Sequence, residues 1–290
     1  MGLMASQDLA LFNVFVMIDI LIPTYNGAKY LKTQLDSILE QSYSDWRILI
    51  RDDGSTDGTD KIIEDWKCSN PGKLFVIPDV ERGLGVSQSF GRLLMASSAD
   101  YVMLCDQDDF WDSEKIRKSL DKIQEEEQKG GQTPLMVCTD LEVVDHELNT
   151  ISKSFWRDRK DSPKILKDFE KLIAHSVVTG NTILLNKCAV KLAVPIKTNF
   201  FLYDQWISIK VARYGKILFL DEALVKYRQH ENNVLGSFKF SKTYLINKIK
   251  FIPYYVHSWI RLKNELEMDF SVSRILIFKI KYNFIKVFCD

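Results

Sequence analysis

Three carboxylates fall within four positions, directly after an apolar stretch of the sequence. Residues 101–105 are apolar and rich in β-forming side chains, and Asp106, Asp108 and Asp109 follow them. Like charges at the end of a buried strand cost free energy unless a cation neutralises them, and one turn can aim Asp106 and Asp108 at the same point. Hard oxygen ligands of this kind suit Mg²⁺ or Mn²⁺, ions that usually hold the phosphates of a substrate as well. The alternative is an acidic loop that caps the following helix.

Two further polar clusters also follow predicted strands. Residues 18–22 read as a strand that ends in Pro-Thr-Tyr-Asn (23–26), and residues 46–51 read as a strand that ends in Asp-Asp-Gly-Ser (52–55). Apolar residues at helical spacing follow each cluster. Strands that alternate with helices predict an α/β fold with a doubly wound, mostly parallel sheet flanked by helices. In such sheets ligands bind at the carboxyl ends of the strands, where all three clusters fall.

Composition narrows the class of protein. The chain has 290 residues and a formal net charge of zero, so its overall electrostatic field does not favour binding of nucleic acid. Its five cysteines are an odd number without a Cys-x-x-Cys pair, which argues against a disulfide framework or a zinc site and suits the cytoplasm. No uninterrupted apolar run is long enough to span a bilayer, and no basic segment precedes the apolar N-terminal stretch, so we expect no signal peptide.

The sequence divides into three parts. Residues 1–16 read as an N-terminal extension or an expression remnant, residues 17–236 as the α/β domain, and residues 237–290 as a helical tail. The tail carries ten Lys or Arg against four Asp or Glu, with aromatic residues interleaved. Basic, aromatic helices fit a membrane surface, here the inner face of the plasma membrane. The alternative is that they pack on the main domain or on a second subunit of a homodimer.

With these motifs in view, the chain resembles the inverting family 2 glycosyltransferases of GT-A fold, from about residue 17 to about residue 236. The resemblance rests on Ile-Pro-Thr-Tyr-Asn (22–26), Asp-Asp-Gly-Ser-Thr-Asp (52–57) and Asp-Gln-Asp-Asp-Phe-Trp (106–111). Residues 178–182, 203–206 and 227–233 are similar to the subgroup of rhamnosyltransferases. The resemblance implies transfer of a sugar, L-rhamnose from dTDP-rhamnose or a sugar from a UDP donor. The acceptor would be a saccharide or a lipid-linked precursor of a bacterial surface polysaccharide.

The resemblance also implies a role for each matching residue. The expected catalytic base is Asp204, for which the alternative is an N-cap of the helix over 205–213. The ion, Mn²⁺ or Mg²⁺, is expected on Asp106, Asp108 and His230. The donor nucleotide is expected at Pro23, Thr24, Tyr25, Asn26, Asp53, Arg82, Asp106 and Arg228. The acceptor is expected at His175, Gly180, Asn181 and Trp206.

The resemblance implies two further expectations, for Asp53 and for Asp109. The carboxylate of Asp53 can accept a hydrogen bond from the N3–H group of a pyrimidine, which uracil and thymine both have, so the base stays open between UDP and dTDP. Asp109 is expected either to assist the ion or to cap the next helix.

Three other classes of protein are alternatives to this prediction. A nucleotidyltransferase would carry a Gly-rich, basic loop after the first strand, whereas no lysine precedes Lys29 in that loop. A response-regulator receiver fits neither the chain length nor the acidic cluster. A non-catalytic carbohydrate- or nucleotide-binding module derived from the enzyme remains, but the presence of Asp53, Asp106, Asp108 and Asp204 together favours an active enzyme.

Overall fold

The computed structural model describes residues 16–197, 202–230, 251–267 and 269–288. The predicted N-terminal extension lies outside the described residues except for its last residue, and so do residues 231–250. The expected boundary at residue 236 and the first part of the tail are therefore also outside the described residues.

The strands of the described residues form one sheet. Their bounds are β1 Ile18–Thr24, β2 Trp46–Asp52, β3 Leu74–Val76, β4 Tyr101–Leu104, β5 Phe110–Trp111, β6 Leu135–Val144, β7 Thr150–Ser152, β8 Leu184–Asn186 and β9 Lys216–Arg228. The order across the sheet is β3-β2-β1-β4-β8-β6-β9-β5, with β7 beside β6.

Helices flank this sheet. Their bounds are α1 Leu31–Leu39, α2 Thr59–Ser69, α3 Val86–Ala96, α4 Lys115–Glu127, α5 Phe155–Asp158, α6 Phe169–Ala174, α7 Lys187–Ala193, α8 Tyr203–Tyr214, α9 Ile252–Glu265 and α10 Val272–Phe288. Short 3₁₀ helices cover Pro163–Lys167 and Gly180–Thr182. Helix α1 shows why these segments are helical, because Leu31, Leu35 and Ile38 recur at helical spacing and are all buried.

The first half of the sheet is parallel. β1 pairs with β2 on one side and with β4 on the other, and β2 pairs with β3. Ile18, Ile20 and Ile22 are fully buried, as expected for strands covered on both faces. The register places Thr24 opposite Asp52, so the ends of β1 and β2 meet at one edge of the sheet. The end of β4, which leads into the acidic cluster, lies at the same edge.

The second half of the sheet is mixed. β8 runs antiparallel to β4 and β6, whereas β9 runs parallel to β6 and antiparallel to β5. Because β5 begins directly after the acidic cluster, the pairing of β9 with β5 carries the C-terminal end of β9 to that cluster. The predicted α/β fold, with a sheet flanked by helices, is found in the structure. The sheet is parallel from β3 through β4 and mixed beyond β4.

The described part of the tail packs on the domain. Trp259, Leu262 and Ile275 are buried in the same core cluster as residues of α6 and α8. In addition, Lys279 Nζ donates a hydrogen bond of 2.7 Å to the backbone carbonyl of Ala174 in α6. Packing on the main domain, one of the alternatives for the tail, is therefore observed. Among the described helices, none is both long enough and apolar enough to cross a membrane.

Candidate active site

The loops after β1 and β2 are tied together by hydrogen bonds. Thr24 Oγ1 donates to Asp52 Oδ1 at 3.0 Å, and the backbone N–H of Asn26 donates to Ser55 Oγ at 2.8 Å. Asn26 has a φ of 47°, a left-handed conformation that asparagine adopts more readily than most residues. Pro23 is half-buried at the end of β1, and Tyr25 has 58% of its surface exposed. This rim is held in shape by its own polar groups and presents Tyr25 to solvent.

Asp53 is almost fully buried, at 7% exposure, beside a buried arginine. Its Oδ1 atom accepts from Arg51 Nη1 at 2.7 Å and from the N–H of Leu84 at 3.0 Å, while Oδ2 accepts from the N–H of Gly85 at 2.8 Å. Burial alone would raise the pKa of Asp53, but Arg51 and the two backbone N–H groups outweigh it and lower this pKa. Asp53 is thus held as an anion.

Asp52 and Asp53 differ in how many further hydrogen bonds their carboxylates can accept. A carboxylate offers about four acceptor positions. Asp52 uses four of them, for Thr24, for the hydroxyl and N–H of Ser55, and for the N–H of Gly54. Asp53 uses three in the part of the chain that the structure describes, which leaves one on Oδ2.

Arg82 lies at the same rim, on its exposed side. Its guanidinium group donates to the carbonyl oxygens of Asp79 and Glu81, so it braces the loop that follows β3. Its aliphatic part lies over Gly54, where an added Cβ would be 3.1 Å from Arg82 Cδ.

Each residue from 107 to 109 is fixed to a different part of the chain. The side-chain amide of Gln107 exchanges two hydrogen bonds of 3.0 Å with the backbone of Tyr25. Asp108 Oδ2 lies 2.8 Å from His230 Nε2. Asp109 is fully buried and accepts from the side-chain amide of Asn181 and from the backbone N–H of Arg228. The role of Gln107 is absent from the sequence prediction, although its position between the acids is a signal for it.

The loop that carries Asp106, Asp108 and Asp109, which we call the acidic loop, has negative charge that is not fully compensated. Burial, with the neighbouring carboxylates of Asp108 and Asp204, raises the pKa of Asp106 to about 7. Burial and the same kind of repulsion raise the pKa of Asp109 well above its usual range. A nearby cation is Lys115, whose ammonium group is buried 3.4 Å from the centroid of the Trp111 ring and whose pKa burial lowers to about 7.

Asp204 lies in the first turn of α8, close to the acidic loop. Burial raises the pKa of Asp204 to about 6, although backbone hydrogen bonds, including that from Gln205 N–H to Oδ1 at 2.7 Å, act in the opposite direction. Helix α8 begins at Tyr203 and its N-cap is Leu202, so Asp204 is inside the helix and is not its N-cap.

Tyr203 connects Asp204 to the acidic loop. Its hydroxyl donates to Asp106 Oδ1 at 3.3 Å, and its ring stacks on Phe90 with centroids 4.1 Å apart. Gly180 permits this placement, because a Cβ on residue 180 would lie 1.9 Å from the Tyr203 hydroxyl oxygen. Gly180 therefore lies beside Tyr203, and its role on the acceptor side stays a prediction. Tyr203 itself was not predicted as a site residue.

The side chains of Asp106, Asp108 and His230 suit a hard divalent cation whose remaining ligands come from the substrate and water. No group of three or more His, Cys, Asp or Glu side chains among the described residues is arranged to hold a metal ion alone. Mg²⁺ and comparable ions are often held by one or two carboxylates together with substrate phosphates and water, and do not need a complete protein cage. Asp106 and Asp108 supply two carboxylates, His230 lies against Asp108, and the mutual repulsion of the acids favours a cation.

The structure corrects the expected acceptor roles of Trp206 and Asn181. Trp206 is 2% exposed and donates from Nε1 to the carbonyl oxygen of Ala193 at 2.9 Å, so it is a core residue that cannot stack on a sugar. Asn181 is 1% exposed and serves to hold Asp109.

Two other predicted residues are placed differently than expected. Arg228 is 3% exposed, and its guanidinium group donates to the carbonyl oxygens of Asp108 and His146, so it clamps the backbone of the acidic loop. His175 contacts Asp161 at 2.9 Å and the ring of Tyr282 in α10, with ring centroids 4.7 Å apart. These contacts anchor the tail and do not join His175 to the acidic cluster.

Comparison with known proteins identifies the family. The family model described as Glycosyl transferase family 2 matches residues 19–187, which is more than half of the chain. The chain belongs to glycosyl transferase family 2. The predicted family and the predicted enzyme class, a glycosyltransferase, are thereby confirmed.

Relatives of this family 2 chain include proteins named for polysaccharide synthesis. It is 39% identical to dTDP-rhamnosyl transferase RfbG of Shigella flexneri over 101 residues, which are 34% of this chain and 35% of RfbG. It is 29% identical to the putative teichuronic acid biosynthesis glycosyltransferase TuaG of Bacillus subtilis, over 38% of this chain and 42% of TuaG. An uncharacterized glycosyltransferase of Nostoc sp. is 29% identical over 74% of this chain. The chain spans between a third and two thirds of the length of these curated relatives.

Solved structures similar to this family 2 chain confirm the GT-A fold. The mannosyltransferase PcManGT from Pyrobaculum calidifontis, in complex with GDP-Man and Mn²⁺, matches 93% of the chain and 69% of its own length with a TM-score of 0.61 and 16% identity. TarS 1–349 of S. aureus, in complex with UDP-GlcNAc, matches 92% of the chain and 71% of its own length with a TM-score of 0.58 and 17% identity. At these identities the likeness establishes the fold alone.

Proposed function

We propose that this chain is a metal-dependent inverting glycosyltransferase that moves a sugar from a nucleoside diphosphate sugar to a hydroxyl group of the acceptor. The observation that carries the proposal is the contact of Tyr203 with Asp106, because it holds a candidate base, Asp204, beside the acids at positions 106–109. A base and a phosphate-binding site at one edge of the sheet are the two parts that this reaction needs.

The reaction is a single displacement at the anomeric carbon. Asp204 accepts the proton of the acceptor hydroxyl while that oxygen attacks, and the bond from the anomeric carbon to the diphosphate breaks on the opposite face of the sugar. A carboxyl group whose pKa is raised to about 6 is ionised at neutral pH and is a stronger base than an ordinary aspartate. The N–H of Gln205 fixes one oxygen of this carboxylate and thereby orients it.

Asp106, Asp108 and His230 would hold the ion. When bound, a divalent cation offsets the negative charge that grows on the leaving diphosphate. The structural neighbour PcManGT was solved in complex with Mn²⁺, which supports a divalent ion here. Thermal stabilisation with Mn²⁺ and with Mg²⁺ compares the two ions.

Asp53 is the candidate residue for binding the nucleotide base of the donor. Within the described residues it keeps one acceptor position on Oδ2, whereas all four positions of Asp52 are used. The identity with RfbG supports dTDP-rhamnose as the first donor to test, with a UDP-sugar as the alternative. The names of RfbG and TuaG support an acceptor in bacterial surface polysaccharide synthesis, either a saccharide or a lipid-linked precursor.

The deciding experiment is thermal stabilisation by UDP, dTDP, GDP and NAD⁺, each with and without Mn²⁺ or Mg²⁺. A ligand at about a hundred times its dissociation constant adds about 2.7 kcal/mol, which is easily measured. We expect one pyrimidine diphosphate to stabilise the protein only with metal, and Asp108→Ala to abolish the effect. The matched control is Asp100→Ala, an exposed acid that directly precedes the opposite end of β4.

The outcomes separate the competing functions. Stabilisation by a pyrimidine diphosphate followed by transfer of the corresponding sugar establishes the enzyme and its donor. Nucleotide binding without transfer to any tested acceptor would favour the non-catalytic binding module. No response to any nucleotide would contradict the proposed site as a whole.

A further inference from the structure

The last described helix presents two different faces. The inner face of α10 packs on the domain: Ile275 is fully buried, the Tyr282 hydroxyl donates to Asp161 at 2.8 Å, and Lys279 donates to the Ala174 carbonyl. Contacts of this kind along the helix fix its rotation about its own axis. The direction in which its other face points is therefore set by the fold.

The opposite face of α10 is apolar and exposed. Ile277 has 66% of its surface exposed, Ile280 has 47% and Phe284 has 53%. These positions are three and four residues apart, so they form one stripe along the helix, which we call the outer face. Large apolar side chains that line up on an exposed face mark an interaction surface more often than scattered ones do.

Basic side chains border the outer face. Arg274 and Lys281 are exposed, and helical spacing places both along the same edge of the stripe. Arg274 also forms an ion pair with Glu170 of α6 at 3.3 Å, and 75% of its side chain remains exposed. Helix α10 carries four basic residues and no acidic residue between positions 272 and 288. An apolar stripe with a basic border is the pattern of a helix that lies flat in the interface of an anionic bilayer, where long basic side chains reach the head groups.

We propose that the outer face of α10 docks this protein on an anionic lipid surface. A second copy of the chain fits this face less well, because an antiparallel symmetric pair would set the outer face against itself and bring Lys281 of each copy towards Arg274 of the other. A bilayer with anionic head groups supplies the opposite charge. The helix lies on the surface and does not span it, in accord with its length and its charge.

The test is flotation of the full chain with vesicles. One set contains equal parts of phosphatidylglycerol and phosphatidylethanolamine, and the other contains phosphatidylcholine alone. We expect the protein to float with the anionic vesicles. In the double variant Ile277→Ser, Ile280→Ser, the fraction of protein bound to these vesicles should fall by at least about fivefold. Lys281→Glu tests the charge separately and is expected to weaken binding to anionic vesicles only.

The control uses an exposed apolar residue outside the helix. Val80→Ser changes a side chain that is 96% exposed in the loop after β3, and it should leave flotation unchanged. Thermal melting of every variant checks that the fold is kept, which is expected because the substituted side chains are exposed.

Three results would overturn the proposal. The first is flotation that the double variant does not reduce, and the second is equal binding to neutral and anionic vesicles. The third is a dimer in sedimentation velocity that the double variant dissociates, without vesicle binding by the wild type, since the face would then serve a second copy. None of these measurements depends on nucleotide binding or transfer, so the result is independent of the proposed function.

Discussion

His230 Nε2 lies 2.8 Å from Asp108 Oδ2, although 122 residues separate the two in the sequence. The contact exists because β9 pairs with β5, which begins two positions after Asp108. The ring of His230 also lies 4.9 Å from the ring of Tyr30, which directly precedes α1. The histidine is therefore seated between the first helix and the acidic loop, where it can join Asp108 in holding an ion.

Replacement of His230 is expected to weaken metal binding. His230→Ala should raise the dissociation constant for Mn²⁺ by about 10- to 100-fold, the range found when groups around a metal site are removed. The measurement is calorimetric titration of Mn²⁺ in the presence of the stabilising nucleotide. His146→Ala, which changes a histidine that is mostly exposed, is the control. An unchanged dissociation constant would remove His230 from the metal site.

Asp204 is expected to act as the base. Asp204→Asn should lower the rate of transfer by about 10²- to 10⁴-fold and leave metal-dependent nucleotide binding intact. In the wild type, kcat/KM should rise with pH through about 6 and then level off, because the carboxylate must be ionised and burial raises its pKa to about 6. Asp221→Asn, an exposed acid of β9, is the control for loss of charge. Normal transfer by Asp204→Asn would exclude this role.

The acidic loop is expected to destabilise the metal-free fold at high pH. The pKa of Asp106 is raised in the folded protein, so the unfolded chain releases this proton first and stability falls as the pH rises from about 4 to about 7. Asp106→Asn cannot ionise, and we expect it to stabilise the metal-free protein at pH 8 by about 1–3 kcal/mol. Urea unfolding in EDTA at pH 5 and pH 8 measures the difference, which should be smaller at pH 5.

For Asp53, the change of folding stability with pH is expected to have the opposite sign to that for Asp106. The pKa of Asp53 is lowered in the folded protein, so its ionised form contributes stability at neutral pH that is lost as the pH falls below about 4. Asp53→Asn should therefore destabilise the protein at pH 7, and the difference from the wild type should shrink in acid. If Asp53→Asn and Asp106→Asn changed stability with pH in the same direction, burial alone would govern the pKa values of both carboxyl groups.

Gly180 is expected to tolerate no side chain. Gly180→Ala would place a Cβ against the Tyr203 hydroxyl, whose ring is held by Phe90, and should destabilise the protein by about 1–3 kcal/mol while reducing transfer. Tyr203→Phe removes only one hydrogen bond and should cost about 0.5–1.5 kcal/mol. Urea unfolding and transfer assays compare the two. A Gly180→Ala protein with wild-type stability would show that Tyr203 can move.

The rim of the site could be predicted because its signals are local. An apolar strand that ends in polar residues is visible within ten positions of sequence, and the parallel α/β rule then brings such ends to one edge. The structure places 23–26, 52–55 and 106–109 at that edge through the pairings of β1 with β2 and β4. The family follows from the same motifs, because they keep their order and spacing along the chain.

The acceptor side was predicted less well, for a reason the sequence already contained. Trp206 follows Asp204 by two positions on one helix, and side chains at that spacing point to different sides of it. Asp204 faces the acidic loop, so Trp206 points into the core. Asn181 could not be placed in this way, because its hydrogen-bond partner Asp109 is 72 residues away in the sequence.

Taken by itself, the sequence determines which segments are amphipathic and which strand ends carry acids, because helical and strand periodicities are properties of neighbouring residues. It determines in this way that the tail is basic and aromatic, but not which of its faces is buried. The tertiary structure decides that Ile275 of α10 is buried and Ile277 is exposed, and that His230 meets Asp108. Such contacts join residues far apart in the chain, and their free energy depends on what the folded protein places around them.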